Sequence, residues 1–141
     1  MVALRAYEYA HVVTFEDTNL VGNVYFARYL SWQGRCRELF LREHAPGLAD
    51  ELAGDLRLVT TRASCEYFAE LRAFDEVLVR MTLRAASQTR VAMAFDYLRD
   101  GELVARGEQE AACLRVRESA LVPAAIPAAL RDALDGYGAV A

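Results

Sequence analysis

The chain has no lysine, so all sixteen basic side chains among its 141 residues are arginines. Any anionic group that it binds is therefore met by planar guanidinium donors rather than by ammonium groups. The sequence also lacks an excess of positive charge, because its formal net charge is -4 at pH 7. A general nucleic-acid binder needs a basic face, and we therefore expect no nucleic-acid partner.

Cysteine is scarce, and long apolar runs are absent. Cys36, Cys65 and Cys113 are widely spaced and include no Cys-x-x-Cys pair, which argues against a disulfide framework and against a zinc site. No stretch approaches the roughly 20 apolar residues of a membrane span, and the first residues contain no apolar signal region. We expect a cytoplasmic protein with reduced thiols, no membrane partner and no metal or cofactor.

The common catalytic motifs are missing as well. The sequence contains no Gly-x-Ser-x-Gly, no Gly-rich phosphate loop and no His-Glu-x-x-His. Its only two histidines are His11, in a predicted strand, and His44, at a predicted helix end. Both positions are typical of structural histidines, so histidine chemistry is not favoured.

Length and composition indicate one globular domain over residues 1–141. The chain is 55% hydrophobic and 26% charged, which is typical of a folded domain rather than a disordered chain. A chain of this length buries roughly two-thirds of its unfolded surface. It therefore needs no crosslink or metal to hold its core.

Hydrophobic periodicity predicts five strands and two helices. The strands are expected at residues 4–15, 56–67, 74–86, 90–99 and 102–117, and the helices at residues 24–43 and 128–134. The long helix is free of proline and apolar on more than one side, which is typical of a buried helix. This order predicts an α+β hotdog fold, an antiparallel sheet of about five strands wrapped around one long central helix. One helix cannot cover both faces of such a sheet, so we expect a homo-oligomer.

The loop before the long helix is the best place for chemistry. A helix N-terminus offers unpaired backbone N–H groups and the positive end of a dipole, which stabilise an oxyanion. This arrangement suits acyl transfer. The polar loop residues Asp17, Thr18, Asn19 and Asn23 are also good capping and turn residues, and both interpretations stay open.

The same loop carries a resemblance to known enzymes. Residues 15–22, Phe-Glu-Asp-Thr-Asn-Leu-Val-Gly, resemble the Phe-x-Asp-x-Asp-x-x-Gly motif of the 4-hydroxybenzoyl-CoA thioesterase branch of hotdog thioesterases. The second Asp of that motif is the catalytic carboxylate, and here the position holds Asn19. The longer run 17–26, with Trp-Gln-Gly-Arg-Cys-Arg-Glu at 32–38, is similar to the thioesterases of iterative enediyne polyketide synthases, a group that also lacks the acid.

The resemblance implies a reaction and a set of catalytic groups. The reaction is hydrolysis of a polyene β-ketoacyl thioester from an acyl carrier protein domain, after which the β-keto acid can lose carbon dioxide. The backbone N–H near Phe26 would polarise the thioester carbonyl, while Asn19 would place a water or bind a substrate oxygen. Arg37 would bind the β-keto oxygen, the oxyanion or the released carboxylate. Tyr29, one turn beyond Phe26, would add an O–H donor.

Each of these roles has a structural alternative. Gly22 and Thr60 complete the implied substrate-binding set, but Thr60 is either a site residue contributed by a neighbouring subunit or only a β-branched strand residue. Tyr29 also suits a core position, and Arg37 suits a solvated helix face. Gly34 is expected to let a strand approach the helix closely.

Two other functions and the partners stay open. One is a general acyl-CoA thioesterase that uses Asp17 or Glu38 as a relocated base, and the other is a non-catalytic acyl-chain binder. The resemblance implies a tetramer built as a dimer of dimers. It also implies a carrier protein that docks on a patch of arginines. The candidates for that patch are Arg35, Arg42, Arg62 and Arg72.

Overall fold

One antiparallel sheet and one long helix make up most of the computed structural model, which describes residues 5–138. The strands are β1 (Tyr7–Val12), β2 (Leu56–Tyr67), β3 (Glu76–Ala86), β4 (Arg90–Arg99), β5 (Glu102–Arg117) and β6 (Ala120–Pro123). The helices are α1 (Ala27–His44), α2 (Leu48–Ala53) and α3 (Ala128–Asp135). The strand order is β1-β3-β4-β5-β2, and β6 pairs with the end of β5. This architecture confirms the predicted α+β hotdog fold.

The bounds of most elements agree with the predicted ones. Strands β2, β4 and β5 have the predicted limits, while β1 is shorter than the prediction, whose first residue, Leu4, lies outside the described residues. The short elements α2 and β6 were not predicted. The turn between β4 and β5 is the predicted one, because Asp100 and Gly101 both take positive φ values, 51° and 78°, as a tight hairpin requires.

Helix α1 begins three residues later than predicted. The residues before it are held in extended backbone pairing, since Val24 forms an isolated bridge with Thr18 and Asn23 forms one with Arg72. The Val24 N–H also donates to the Leu71 carbonyl at 2.8 Å. These long-range bonds delay the helix to Ala27, which places its N-terminus beside the loop.

The core lies between α1 and the inner face of the sheet. Tyr29, Trp32, Cys36 and Phe40 of α1 are buried there, and alternate residues of β3 and β4 are buried opposite them. Strand β2 is different, because it lies at the edge of the sheet and most of its side chains are exposed. No helix in the part of the chain that is described has the length and apolar character needed to cross a membrane.

Candidate active site

Asn19 and Gly22 lie at the tip of a tight loop in front of α1. The Gly22 N–H donates to the Asn19 carbonyl at 3.0 Å, and the Asn19 N–H donates to the Asn23 carbonyl at 2.9 Å. Gly22 has φ +91°, a conformation that favours glycine. The Asn19 side chain caps this loop, because its Oδ1 accepts the Val21 N–H at 3.0 Å. Its Nδ2 donates no hydrogen bond within residues 5–138 and remains available to a ligand.

The N-terminus of α1 presents free backbone donors. Phe26 has helical dihedral angles, and the residue is 59% exposed. Among the hydrogen bonds of the described residues, none is donated by the Phe26 N–H. The Tyr67 hydroxyl of β2 donates to the Phe26 carbonyl at 2.9 Å and ties the helix start to the end of that strand. The free N–H lies at the positive end of the dipole of an 18-residue helix, which is the arrangement predicted as the oxyanion site.

Tyr29 lies in the core rather than in an open cavity. Its ring packs against those of Trp32, Tyr67 and Tyr97 at centroid distances of 5.1, 4.8 and 5.5 Å. Burial raises the pKa of its hydroxyl to about 12. The role of Tyr29 as a donor to substrate stays a prediction.

Arg37 reaches the sheet and binds two neutral acceptors. Its Nη1 donates to Thr60 Oγ1 of β2 at 3.1 Å and to Gln109 Oε1 of β5 at 2.6 Å. Burial lowers the pKa of this half-buried guanidinium. No carboxylate oxygen lies within 4.0 Å of it in the described part of the chain, and the charge of the neighbouring Glu38 only partly opposes the effect of burial on the Arg37 pKa. A guanidinium with neutral acceptors is a suitable donor to an anionic group, and the role of Arg37 in binding substrate stays a prediction.

A β-bulge in β2 lets both ends of this strand contact α1. Thr60 pairs with Ala111 and Arg62 pairs with Glu110, so Thr61 is an extra residue in the ladder. Thr60 and Tyr67 are seven positions apart and would face opposite sides of a regular strand. The bulge reverses the alternation, and as a result Thr60 contacts Arg37 while Tyr67 contacts Phe26.

The two carboxylates considered as bases lie in unlike surroundings. Asp17 is buried, and its Oδ2 accepts hydrogen bonds from the Thr14 N–H at 3.1 Å and from His11 Nε2 at 3.0 Å. This pairing fixes the start of the loop and engages the carboxylate in structure. Glu38 is exposed on the opposite side of α1 from the sheet-facing residues, at the rim of a groove formed with α2.

The four arginines considered for carrier docking divide into two pairs. Arg62 and Arg72 already have carboxylate partners, Glu110 at 4.0 Å and Glu70 at 3.2 Å. Arg35 and Arg42 have none within residues 5–138, and they lie seven residues apart on the exposed side of α1. These two are therefore the better candidates.

Apolar space adjoins Arg37. A slot of about 20 Å³ lies between α1, the sheet and α3, and Arg37, Leu41 and Leu58 line it. On the other side of Leu41 a groove of about 290 Å³ runs between α1 and α2, with almost entirely apolar walls. Arg37 and Leu41 therefore lie beside apolar surface that is open to solvent at the groove.

The oxyanion site and Arg37 are far apart in one chain. Phe26 and Arg37 are eleven residues apart on one helix, which corresponds to about 16 Å along its axis. An arginine side chain spans less than half of that distance. The residues predicted for the site therefore form two separate groups in one protomer, which we call half-sites. The first is the loop of Asn19 and Gly22 with Phe26, and the second is Arg37 with Thr60 and Gln109.

Comparison with known proteins gives one family and several related structures. Residues 13–134 match the model of the thioesterase-like superfamily. A 1,4-dihydroxy-2-naphthoyl-CoA hydrolase from Synechocystis sp. is 27% identical over 123 residues, which are 85% of this chain and 89% of that protein. Crystal structures of the dynemicin thioesterase, which reveal polyene binding, match with TM-score 0.92 and 51% identity over 96% of this chain and 99% of that one. A gentisyl-coenzyme A thioesterase, 21% identical, shares the fold with TM-score 0.78 over 91% of this chain and 98% of its own.

Proposed function

The chain belongs to the thioesterase-like superfamily and is a thioester hydrolase, and we propose that its substrate is a polyene β-ketoacyl chain on an acyl carrier protein domain. The main support for this substrate is the 51% identity to the dynemicin thioesterase, whose crystal structures reveal polyene binding. The carrier domain would belong to an iterative polyketide synthase of the enediyne type. Arg37 has no carboxylate within 4.0 Å in residues 5–138, which supports a substrate that becomes an anion on hydrolysis.

Two protomers would complete each active site. Strand β2 is an edge strand of twelve residues, and such an edge is a ready template for a second strand. If β2 pairs with its own copy across a two-fold axis that lies between Ala63 and Ser64, the strands run antiparallel and Thr60 of one protomer comes opposite Tyr67 of the other. Because Thr60 binds Arg37 and Tyr67 binds Phe26, this pairing brings Arg37 of one protomer to the oxyanion site of the other.

The same pairing would cover an apolar surface. Leu20 and Val21, at the loop tip, are exposed in the single chain, and so is Phe26. Contiguous exposed apolar residues of this kind mark interaction surfaces. We assign the dimer as the catalytic unit and the dimer of dimers as the assembly.

The proposed reaction uses no protein base. Water attacks the carbonyl carbon of the thioester, the C–S bond breaks, and the carrier thiol leaves with a proton from that water. The Phe26 N–H stabilises the oxyanion, and Arg37 binds the developing carboxylate. The free Nδ2 of Asn19 donates either to the attacking water, which it orients, or to a substrate oxygen. Asn19 itself is not a base, because an amide does not accept a proton near neutral pH. Loss of carbon dioxide then breaks the bond between the carboxyl carbon and the α-carbon of the β-keto acid, and the resulting enolate takes a proton to give a methyl ketone.

The acyl chain would run from Arg37 past Leu41 into the groove between α1 and α2. The slot beside Arg37 holds about 20 Å³, room for roughly one water molecule, whereas the groove holds about 290 Å³. A long chain therefore needs the Leu41 side chain to move.

Carrier docking would use Arg35 and Arg42. Acidic carrier proteins and this acidic chain repel each other overall, so association needs local positive charge. These two arginines supply it, since neither has a carboxylate partner within residues 5–138. We place the enzyme in the cytoplasm, because its three cysteines are free thiols and free thiols suit a reducing compartment.

Turnover of a defined substrate tests this function. A β-ketoacyl chain with conjugated double bonds is loaded on a carrier domain, incubated with the enzyme in water containing oxygen-18, and the products are identified by mass. We expect one labelled oxygen in the free acid, followed by a methyl ketone. Binding without release would support an acyl-chain binder, and equal release from acyl-CoA with a rate that falls at acid pH would support a relocated carboxylate base.

A further inference from the structure

Gln109 is a buried polar residue that touches Arg37. Its side chain lies on the inner face of β5, and the residue is 5% exposed. Across the sheet it is paired with Ala63 of β2 and with Met93 of β4, which provide no polar side chain. Its Oε1 accepts the Arg37 Nη1 at 2.6 Å. A buried amide in an otherwise apolar row is costly unless it has a partner, and Arg37 is that partner.

The two neighbours of Gln109 in the chain are acids that also bind arginines. Glu108 pairs with Arg84 at 2.6 Å and Glu110 pairs with Arg90 at 2.8 Å. Both acids lie on the outer face of the sheet, because side chains alternate along a strand. On the outer face of β5, the arginines therefore bind carboxylates. On the inner face, Arg37 binds the amide of Gln109, a side chain of the same shape as glutamate.

This difference separates Arg37 from most arginines of the chain. Within residues 5–138, nine of the sixteen arginines have a carboxylate oxygen within 4.0 Å. Arg37 is more enclosed than a surface arginine, yet both of its acceptors, Thr60 and Gln109, are neutral. A glutamate in place of Gln109 would bind the guanidinium more strongly. It would also neutralise the guanidinium.

We propose that Gln109 is a positioning residue that holds Arg37 against β5 through a neutral acceptor, so that the full positive charge of Arg37 serves the carboxylate formed from the substrate. This inference rests on the proposed function, in which Arg37 binds that carboxylate. The Nη1 atom is the tether, and the remaining guanidinium N–H groups, which bind no acceptor within residues 5–138, face the ligand.

The variant Gln109→Glu keeps the acceptor that holds Arg37 in place and adds a negative charge beside the guanidinium, so it separates the two effects. It keeps the shape and the acceptor, so a merely structural role predicts an unchanged or higher Tm and unchanged turnover. Our proposal predicts the unchanged or higher Tm together with at least a tenfold loss of kcat. Two ligands give a second readout: the Kd for laurate should weaken at least tenfold, while the Kd for the methyl ketone of the same length should stay within twofold. The matched control is Glu108→Gln on the outer face, whose partner is the exposed Arg84, and it should leave kcat and both Kd values unchanged.

Arg37→Ala, measured in parallel, distinguishes a failure of the role assigned to Gln109 from a failure of the role assigned to Arg37. If Arg37→Ala loses turnover and laurate binding while Gln109→Glu keeps both, only the role of Gln109 is overturned. If both variants behave like the wild type, the assigned role of Arg37 is overturned as well. Should Gln109→Glu fail to fold, Gln109→Met removes the tether without adding charge and should lower kcat more than it weakens laurate binding. Wild-type kcat in folded Gln109→Met would overturn the proposal.

Discussion

Replacing Arg37 by alanine should remove most of the hydrolysis and a measurable part of the stability. The stability loss follows from Gln109, which would keep a buried Oε1 without its donor. An unsatisfied buried acceptor costs about 1–3 kcal/mol, and for a domain of this size each kcal/mol lowers Tm by roughly 3 °C. We therefore expect Tm to fall by about 3–9 °C, which leaves the protein folded at 25 °C.

The catalytic loss follows from the charge that Arg37 offers to the transition state. Removal of one such group from a preorganised site lowers kcat by roughly ten- to a thousandfold, or about 1.4–4 kcal/mol. The assay is thiol release from a β-ketoacyl carrier substrate at 25 °C, with circular dichroism to confirm the fold. Arg84→Ala, which breaks an exposed ion pair with Glu108, is the control and should keep wild-type kcat. Near wild-type turnover by folded Arg37→Ala would refute the reasoning.

Three further predictions concern the loop, the groove and the thiols. Asn19→Ala should lower kcat at least tenfold because the Nδ2 donor is lost, while Asn19→Asp should retain part of the activity; equal activity of wild type and Asn19→Ala would make Asn19 a loop cap only. Leu41→Trp should fill the passage between slot and groove, so kcat/KM should fall for long acyl chains and stay within threefold for short ones; a uniform effect on all lengths would move the acyl chain elsewhere. Burial raises the pKa of Cys36 to about 12 and of Cys65 to about 11, so a folded sample at pH 8 should react with iodoacetamide far more slowly than a denatured one, and fast labelling of either thiol, located by mass spectrometry, would contradict its burial.

The strands and the long helix could be predicted because local patterns dictate them. Period-two alternation in β4 and the turn at Asp100 and Gly101 are short-range signals, and the structure has both where the sequence predicts them. The start of α1 depends instead on bridges to residues about fifty positions away, such as that between Asn23 and Arg72. Local periodicity contains no trace of such bonds, so the predicted helix began too early.

The close approach of helix and sheet was assigned to the wrong glycine. A Cβ at Gly34 would meet nothing within 4 Å, whereas one at Gly107 would lie 2.6 Å from the Ser64 carbonyl and closer still to Gln33 Nε2. The buried Gln33 donates to that same carbonyl at 3.0 Å. Glycine therefore occupies β5 at this point, since any side chain would displace Gln33.

The candidate site was predictable in part. The loop motif pointed to Asn19 and the helix N-terminus, which are adjacent in sequence. Gln109 gave no signal of its own, because a single polar residue in a strand is ordinarily exposed. Only the outward acids on either side of it, Glu108 and Glu110, mark the position as unusual, and their direction depends on the strand register. The bulge at Thr61 was likewise not visible in the alternation of β2.

Mixed dimers test the shared active site most directly. Asn19→Ala and Arg37→Ala lie in different half-sites, so a dimer with one copy of each variant has one site with both defects and one site with neither. Equal co-expression gives half mixed dimers, and activity should recover to about a quarter of the wild-type value, well above the average activity of the two variants measured separately. If each site is built from one protomer, every site carries a defect, and the co-expressed sample should show no more than the average of the separate variants.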